Sequence, residues 1–191
     1  MPDSALIEAA RRWVVDRYPY NNYHLLKTLE WLDRIAPDAG EAMRLAALTH
    51  DMERAFPGPD QPVQDVVKGF NDHEYNVAHS ARSAHIVGAW LREQGADEPL
   101  TREVERLIGV HEEGGWPEAN LVQAADSLSF LETNVDLFLN MIRSGKRTPA
   151  EVLAKFDFTY ERIQVARARE LALPLYQQAK ARLAALEAER S

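Results

Sequence analysis

Apolar residues recur every three or four positions along nearly the whole chain, and no stretch shows the sustained alternation of apolar and polar residues that marks a strand. The pattern predicts an all-α protein, a single-domain helical bundle of about seven to eight helices over residues 1–191. The predicted helices span about residues 4–18, 22–36, 40–54, 73–95, 101–111 and 117–143. One or two amphipathic helices follow Thr148, where "TPAE" is a typical helix start.

The segment "AFPGPDQPVQDVVKGFND", residues 55–72, is the only long connection that lacks a helical pattern. It contains three prolines and two glycines, with one short helical turn predicted around residues 64–68. Long connections of this kind in a compact domain are often lids or binding loops. We therefore expect this loop to line a pocket.

Composition narrows the chemistry that the chain can carry out. The chain has no cysteine, so any metal must be bound by nitrogen and oxygen. A formal charge of −8 disfavours binding to nucleic acid polymers or to anionic membranes, because both require a positive surface. No segment resembles a membrane span or a cleavable signal, so we expect a cytoplasmic protein.

Polar side chains with metal-binding chemistry fall on faces that should be buried. His50 continues the apolar stripe of Met43, Ala46 and Ala47, and Asp51 follows about 100° further round the helix. A histidine and an aspartate placed in this way can converge on one point at the end of a helix.

Two further segments repeat this arrangement. His111 completes the stripe that begins with Val104, and Asp126 lies in the nearly apolar segment between Leu121 and Leu131. A buried ionised carboxylate costs several kcal/mol unless it is paired or bound to a metal. We therefore expect a cationic partner for Asp126.

All six histidines lie between residues 24 and 111, and His24 and His79 fall on faces that are half apolar and half polar. Taken singly, each of these histidines is more often a hydrogen-bonded core residue than a ligand. Four inward-facing histidines and two inward-facing aspartates would nevertheless make a costly core without an ion. The combination favours a metal site.

The ordered set His24, His50-Asp51 and Asp126 resembles the H…HD…D signature of the HD superfamily of metal-dependent phosphohydrolases. The flanking segments "LAALTHD", "HSARSA", "LIGVHE" and "VQAADSLS" are also similar to those of the family. The similarity covers about residues 20–131, which would form the ligand-bearing core. It implies hydrolysis of a phosphate ester or anhydride of a small metabolite or nucleotide by a metal-bound hydroxide.

The resemblance also implies a ligand set. His24, His50, Asp51 and Asp126 would bind one divalent ion, which could be Fe, Mn, Co, Ni, Zn or Mg. In dinuclear members two further histidines bind a second ion, and His79 and His111 stand at the matching positions. Other members keep these histidines near a substrate phosphate, so the number of ions stays open.

Several residues are expected to act on the substrate. Arg54, Lys68 and Arg82 would bind phosphate oxygens, and Arg54 and Lys68 join Asp51 as the expected catalytic residues, although each cation is also an ordinary surface residue. His73 begins a helix beside the long loop and would face the substrate. Glu112 is either a base or a solvated acid. His85 is structural, unless the helix is rotated so that His85 replaces His79 as the ligand.

The chain departs from the family pattern in two respects. First, several members have a lysine shortly after the doublet, whereas the segment "HDMER" of this chain has Arg54 as the nearest basic residue. Second, the chain lacks the glycine-tyrosine-proline signature of the branch that degrades cyclic-di-GMP, which disfavours that branch.

The alternatives are a di-iron oxygenase of the same fold and a non-catalytic module in which the metal only holds the helices together. Residues 145–191 either cover the core or form a homodimer interface, and the sequence leaves this open.

Overall fold

The computed structural model describes residues 4–65, 68–69 and 72–190, and all the regular secondary structure in this part of the chain is helical, as predicted. The described residues form nine α-helices and one 3-10 turn. The α-helices are α1 (Ala5–Arg17), α2 (Asn22–Ile35), α3 (Glu41–Thr49), α4 (His73–Glu93), α5 (Glu98–Ile108), α6 (Pro117–Thr133), α7 (Val135–Arg143), α8 (Pro149–Glu161) and α9 (Ala166–Arg190), and the 3-10 turn is Met52–Ala55.

Helix starts follow the capping signals in the sequence. Ser4 caps α1, because its hydroxyl accepts a hydrogen bond of 3.2 Å from the backbone N–H of Ile7. Thr148 and Glu151 form the predicted capping box at the start of α8. The helical turn predicted at residues 64–68 includes residues 66 and 67, which lie outside the described residues.

The helix predicted over residues 40–54 was too long. Helix α3 ends at Thr49, and the chain continues through His50 and Asp51 into the 3-10 turn. Asp51 has φ −100° and ψ 11°, which is the bridge region where turns and many active-site residues lie. The histidine-aspartate doublet therefore lies at a junction between two helical segments.

Two other predicted helices also had wrong boundaries. Helix α5 begins at Glu98 because the Asp97 carboxylate accepts from Leu100 N–H at 2.8 Å, and it ends at Ile108, so His111 lies in the following turn. The helix predicted over residues 117–143 is divided at Asn134 into α6 and α7. There the Thr133 hydroxyl contacts both the Ser129 carbonyl and the Asn134 side chain, and such local hydrogen bonds compete with helix continuation.

Helix α6 is the centre of the bundle. Eleven of its residues are buried, and α2, α3, α5, α7, α8 and α9 all pack against it. Helix α9 buries Ala172, Ala179 and Leu183 along one side, so at least this part of the C-terminal segment covers the core. Among the described residues, no helix is both long enough and apolar enough to cross a bilayer.

Candidate metal centre

Four buried histidines from separate elements meet beside α6. His24 lies in the first turn of α2, His50 after α3, His79 within α4 and His111 after α5. The His50 ring centroid is 5.4 Å from that of His24 and 4.9 Å from that of His111, and the His79 and His111 centroids are 5.2 Å apart. The structure thus brings together the four histidines that the sequence pattern selected.

Backbone carbonyls orient two of these rings. The Nδ1 of His50 is 3.0 Å from the Ala47 carbonyl oxygen, and the Nδ1 of His111 is 2.8 Å from that of Ile108. Because a carbonyl can only accept, each Nδ1 carries a proton, so in the neutral form of each ring the lone pair is on Nε2. This is the usual arrangement for a histidine that binds metal through Nε2.

Side chains orient the other two rings. The Ser129 hydroxyl donates to the His24 carbonyl at 2.7 Å, so its oxygen accepts from the Nδ1 of His24 at 2.9 Å. The Nδ1 of His79 is 2.8 Å from the carboxylate of Glu53, a buried residue that the sequence analysis missed. All four Nε2 atoms are therefore directed toward a common region.

Two carboxylates complete the set. Asp126 Oδ1 is 3.1 Å from the Nε2 of His24 and 3.4 Å from that of His50, and Asp51 Oδ1 is 2.9 Å from the Nε2 of His79. The donor atoms of His24, His50 and Asp126 lie within 4.8 Å of one another. The same limit holds for two further trios: His50 with Asp51 and His111, and His79 with His111 and Glu112.

The donor chemistry fits a divalent cation. In the described part of the chain, the buried Nε2 atoms of His50, His79 and His111 have no partner in hydrogen-bond geometry. The contact between His79 and Asp51 is close in distance only. Unpartnered buried nitrogens beside carboxylates are costly unless an ion binds them. A nitrogen and oxygen donor set of this kind suits first-row transition metals.

The pKa shifts reflect strong coupling between these groups. Burial would lower the pKa of His50, but the Asp126 carboxylate raises it to about 9. Burial and the nearby His50 instead lower the pKa of His111 to about 4. The pKa of the Asp126 carboxyl lies well below its ordinary value because nearby Arg162 and His50 outweigh the effect of burial. Negative charge is thus concentrated on the aspartates.

Arg162 joins the centre from the C-terminal end of α8, a contact that sequence reasoning missed. Its Nη2 is 2.5 Å from Asp126 Oδ2, its Nε donates to Ser127 at 2.9 Å, and its Nη1 pairs with Glu112. Asp126 therefore presents Oδ1 to the histidines and Oδ2 to an arginine. Glu112 is buried in an ion pair, which corrects the interpretation of this residue as a solvated acid.

Arg54 contacts the other aspartate. Its Nε is 3.0 Å from Asp51 Oδ2, and its Nη1 donates to the Tyr75 hydroxyl at 3.0 Å. Asp51 therefore divides its oxygens as Asp126 does, with Oδ1 toward a histidine and Oδ2 toward an arginine. Of the three cations expected at the substrate, only Arg54 contacts the centre and lines the cavity beside it.

The other expected substrate residues lie elsewhere. The Lys68 ammonium is 2.5 Å from Glu74, and His73 is exposed with its Nδ1 2.7 Å from Glu113. Arg82 contacts Glu53 at 3.2 Å and also Asp60, so it supports the carboxylate behind His79. The histidine left without a role, His85, is exposed, whereas His79 belongs to the centre.

A cavity of about 450 Å³ opens beside the metal centre. Its walls include His24 and both aspartates, and its apolar side is formed by Phe130 and by α7. Among the described residues, five cationic side chains and three carboxylates line it, so this part of the chain gives the cavity surplus positive charge although the net charge of the chain is −8. The cations are Arg54, Lys146, Arg147, Lys155 and Arg162.

Comparison with known proteins identifies the family. A family model described as a domain of unknown function, DUF4202, matches residues 7–186. The chain belongs to the DUF4202 family. No curated protein and no solved structure matches the chain.

The DUF4202 match includes every residue of the metal centre and all five cavity cations. Helix α8 is therefore part of the same family unit as the histidine-bearing helices. Sequence reasoning missed Lys155 and Arg162 because they lie beyond the segment that resembles a known pattern. The signal that could have revealed Arg162 was the need for a cation at Asp126.

Proposed function

We propose that this DUF4202 domain is a metal-dependent phosphohydrolase that acts on a small phosphorylated metabolite or nucleotide. The observation that carries the proposal is the convergence of four histidine Nε2 atoms and two aspartates beside a cavity with surplus positive charge. The resemblance of these residues to the HD superfamily supports the same reaction class. The proposal is supported by donors that suit a cation and by an adjacent cavity whose positive charge suits an anionic substrate.

As the resemblance implies, His24, His50, Asp51 and Asp126 would hold the first ion, and His79 and His111 would complete a second position with Asp51. The donor trios His24-His50-Asp126 and His50-Asp51-His111, and the 2.9 Å contact of His79 with Asp51, support this division. The chemistry that a divalent cation would supply at these residues is a lowered pKa for a bound water, from 15.7 to about 7. The carbonyl and side-chain partners of each Nδ1 fix the rings before the ion binds, which reduces the cost of assembling the site.

The cations determine which substrates fit. Arg54 and Arg162 are each held by a carboxylate of the centre, and their remaining N–H groups can donate to phosphate oxygens. Charge that develops on a phosphoryl group is stabilised best by donors that are already in position. Tyr75 and Ser127 provide this positioning, because they bind the same two guanidinium groups.

The test begins with metal analysis of the purified protein, followed by a phosphatase and pyrophosphatase screen in several divalent ions. We expect bound metal and turnover of at least one phosphorylated compound. Anaerobically purified protein should be assayed in parallel for oxygen uptake. Oxygen consumption without phosphate release would instead assign the centre to di-iron oxygenase chemistry. Bound metal without any turnover would indicate a non-catalytic module in which the metal only holds the helices together.

Single substitutions test the ligand assignment. His50→Ala and Asp126→Ala should each abolish metal content and turnover, because each removes a donor from the trio with His24. His85→Ala is the matched control, since it removes an exposed histidine from the helix that carries His79. Full metal content in either of the first two variants would overturn the assignment.

A further inference from the structure

Positive charge in the cavity extends beyond the metal centre into the segment after α7. Lys146 and Arg147 follow the end of that helix, and Lys155 lies in the middle of α8. Arg54 and Arg162 pair with carboxylates of the centre. Among the described residues, by contrast, no carboxylate makes an ion pair with the ammonium of Lys146 or Lys155. Lys155 nevertheless interacts electrostatically with Glu112 and Asp126 of the centre. The centre therefore accounts for part of the charge of Lys155 but not for Lys146, which is exposed.

Lys155 is a half-buried ammonium that contacts aromatic rings. Its Nζ is 5.3 Å from the ring centroid of Phe130 and 5.3 Å from that of Phe158. Burial lowers the pKa of Lys155 below its ordinary value. Ring faces attract a cation but do not neutralise it. The ammonium of Lys155 is thus partly desolvated in the cavity wall, and an anionic ligand would stabilise its charge.

Arg147 is fixed at the start of α8. Its Nη1 is 3.2 Å from Glu151, and its Nη2 donates to Gln64 at 3.1 Å, which joins the long loop to the helix. Lys146, its neighbour in the chain, is exposed. The cavity wall therefore contains two neighbouring cations, the fixed guanidinium of Arg147 and the ammonium of Lys146 on its long, flexible side chain.

The helix sets the spacing of the cations. Lys155 and Arg162 are two turns apart, so they lie on the same side of α8 with a separation of about 10 Å along the axis. Arg147 lies just before Thr148, the N-cap of α8, so it is at the opposite end of the helix from Arg162. Apolar side chains of α7, Leu137, Phe138 and Met141, line the cavity as well. A ligand in this cavity can therefore contact the metal centre, an apolar surface and the cations of the second group together.

We propose that Lys146, Arg147 and Lys155 form a second anion subsite, and that the ligand of this cavity is a small molecule with two anionic groups joined by an apolar body. One anionic group is the phosphate at the metal centre, so the proposal rests on the proposed function. The other is a carboxylate or phosphate that binds the three cations of α8 and the preceding turn.

Two probes with the same apolar body test the subsite. Hexylphosphonate carries one anionic group, hexane-1,6-bisphosphonate carries two, and neither has a hydrolysable phosphate ester. Their dissociation constants for the full chain are measured by calorimetry in the same metal state. The ratio of the two constants cancels whatever the first phosphonate gains at the metal centre. We expect the bisphosphonate to bind at least about tenfold more tightly, a difference of about 1.4 kcal/mol.

Variants locate the source of that ratio. Lys155→Met and Lys146→Glu should each reduce it to less than about threefold, while hexylphosphonate binding to Lys146→Glu stays unchanged. Lys146 is exposed, so its substitution should not impair folding. Arg143→Ala is the matched control, because it removes an exposed cation of the same segment that does not line the cavity.

The outcomes separate this proposal from the previous one. Equal affinities of the two probes for the unmodified protein, or a ratio that both lysine variants leave intact, would overturn the subsite. A lysine-dependent ratio in a protein without phosphatase activity would support the subsite and reject the proposed reaction. Phosphatase activity with no preference between the probes would do the opposite.

Discussion

At the scale of single residues, Glu53 supports the metal centre although it is not itself one of the expected ligands. Its carboxylate is 2.8 Å from the Nδ1 of His79 and 3.2 Å from Arg82, and it is almost fully buried. Burial raises the pKa of Glu53, but His79 and Arg54 together lower it below its ordinary value, so the carboxylate is ionised. Glu53 thus orients the ring and increases its basicity, as carboxylates behind metal-binding histidines commonly do.

Glu53→Gln should weaken metal binding at the His79 side of the centre by about 10- to 100-fold. The amide preserves the volume but removes the charge that polarises the imidazole. Metal stoichiometry and affinity can be measured by competition with a chromogenic chelator. Glu74→Gln serves as the control, because Glu74 is exposed and pairs with Lys68. An unchanged affinity in Glu53→Gln would show that Glu53 does not support a metal ligand.

The difference between Glu53 and His50 shows what a single sequence can predict about a site. His50 continues an apolar stripe, so local periodicity is enough to place it inside. Glu53 lies in a short 3-10 turn, which has no such stripe, and its partners come from α4. Arg162 likewise meets Asp126 only through the packing of α8 on α6. Contacts between distant segments leave no periodic signal.

At the scale of helices, the donors lie where elements end. His50 and Asp51 follow α3, and His111 follows α5. The sequence predicted the all-helical fold and most helix positions, because the apolar period is strong. It extended these two helices too far, because apolar residues continue past the point where the backbone changes direction. Helix ends depend on hydrogen bonds and packing that the period does not encode.

Arg162→Met tests the link between α8 and the metal centre. The substitution leaves Asp126 and Glu112 buried without their cation, so we expect the free energy of unfolding to fall by about 3–5 kcal/mol in protein treated with EDTA. The loss should be smaller in metal-loaded protein, because a bound ion also neutralises Asp126. Urea unfolding measured by circular dichroism gives both values.

Arg102→Met provides a matched control for that experiment. Arg102 is exposed and pairs with Glu98 on the protein surface, so its removal should change stability little in either state. An equal loss of stability for Arg162→Met with and without metal would indicate that Asp126 does not contact the ion.

At the scale of the whole molecule, the metal-free protein should be most stable near pH 6.5. The folded-state pKa of His50 is about 9, above its ordinary value of 6.5, so the stability it contributes is complete below pH 6.5 and declines as the pH rises through 9. The folded-state pKa of His111 is about 4, so stability declines as the pH falls from 6.5 toward 4.

Metal should change this profile. Binding requires His50 to lose its proton, so the rise in melting temperature caused by metal should increase between pH 6 and pH 9. Thermal unfolding with EDTA and with metal, at several pH values, measures the difference. A metal-induced shift that is constant over this range would mean that no ligand histidine exchanges a proton for the ion.

The ion pair between Arg162 and Glu112 joins residues that are 50 positions apart in the chain. Loss of Arg162 would leave Glu112 buried without its ion-pair partner, so a lineage that loses the arginine should also replace the glutamate. Among DUF4202 relatives, these two columns should therefore covary, with arginine and glutamate retained or replaced together. Such coupled replacement would mark an evolutionary subgroup whose C-terminal helices approach the metal centre differently.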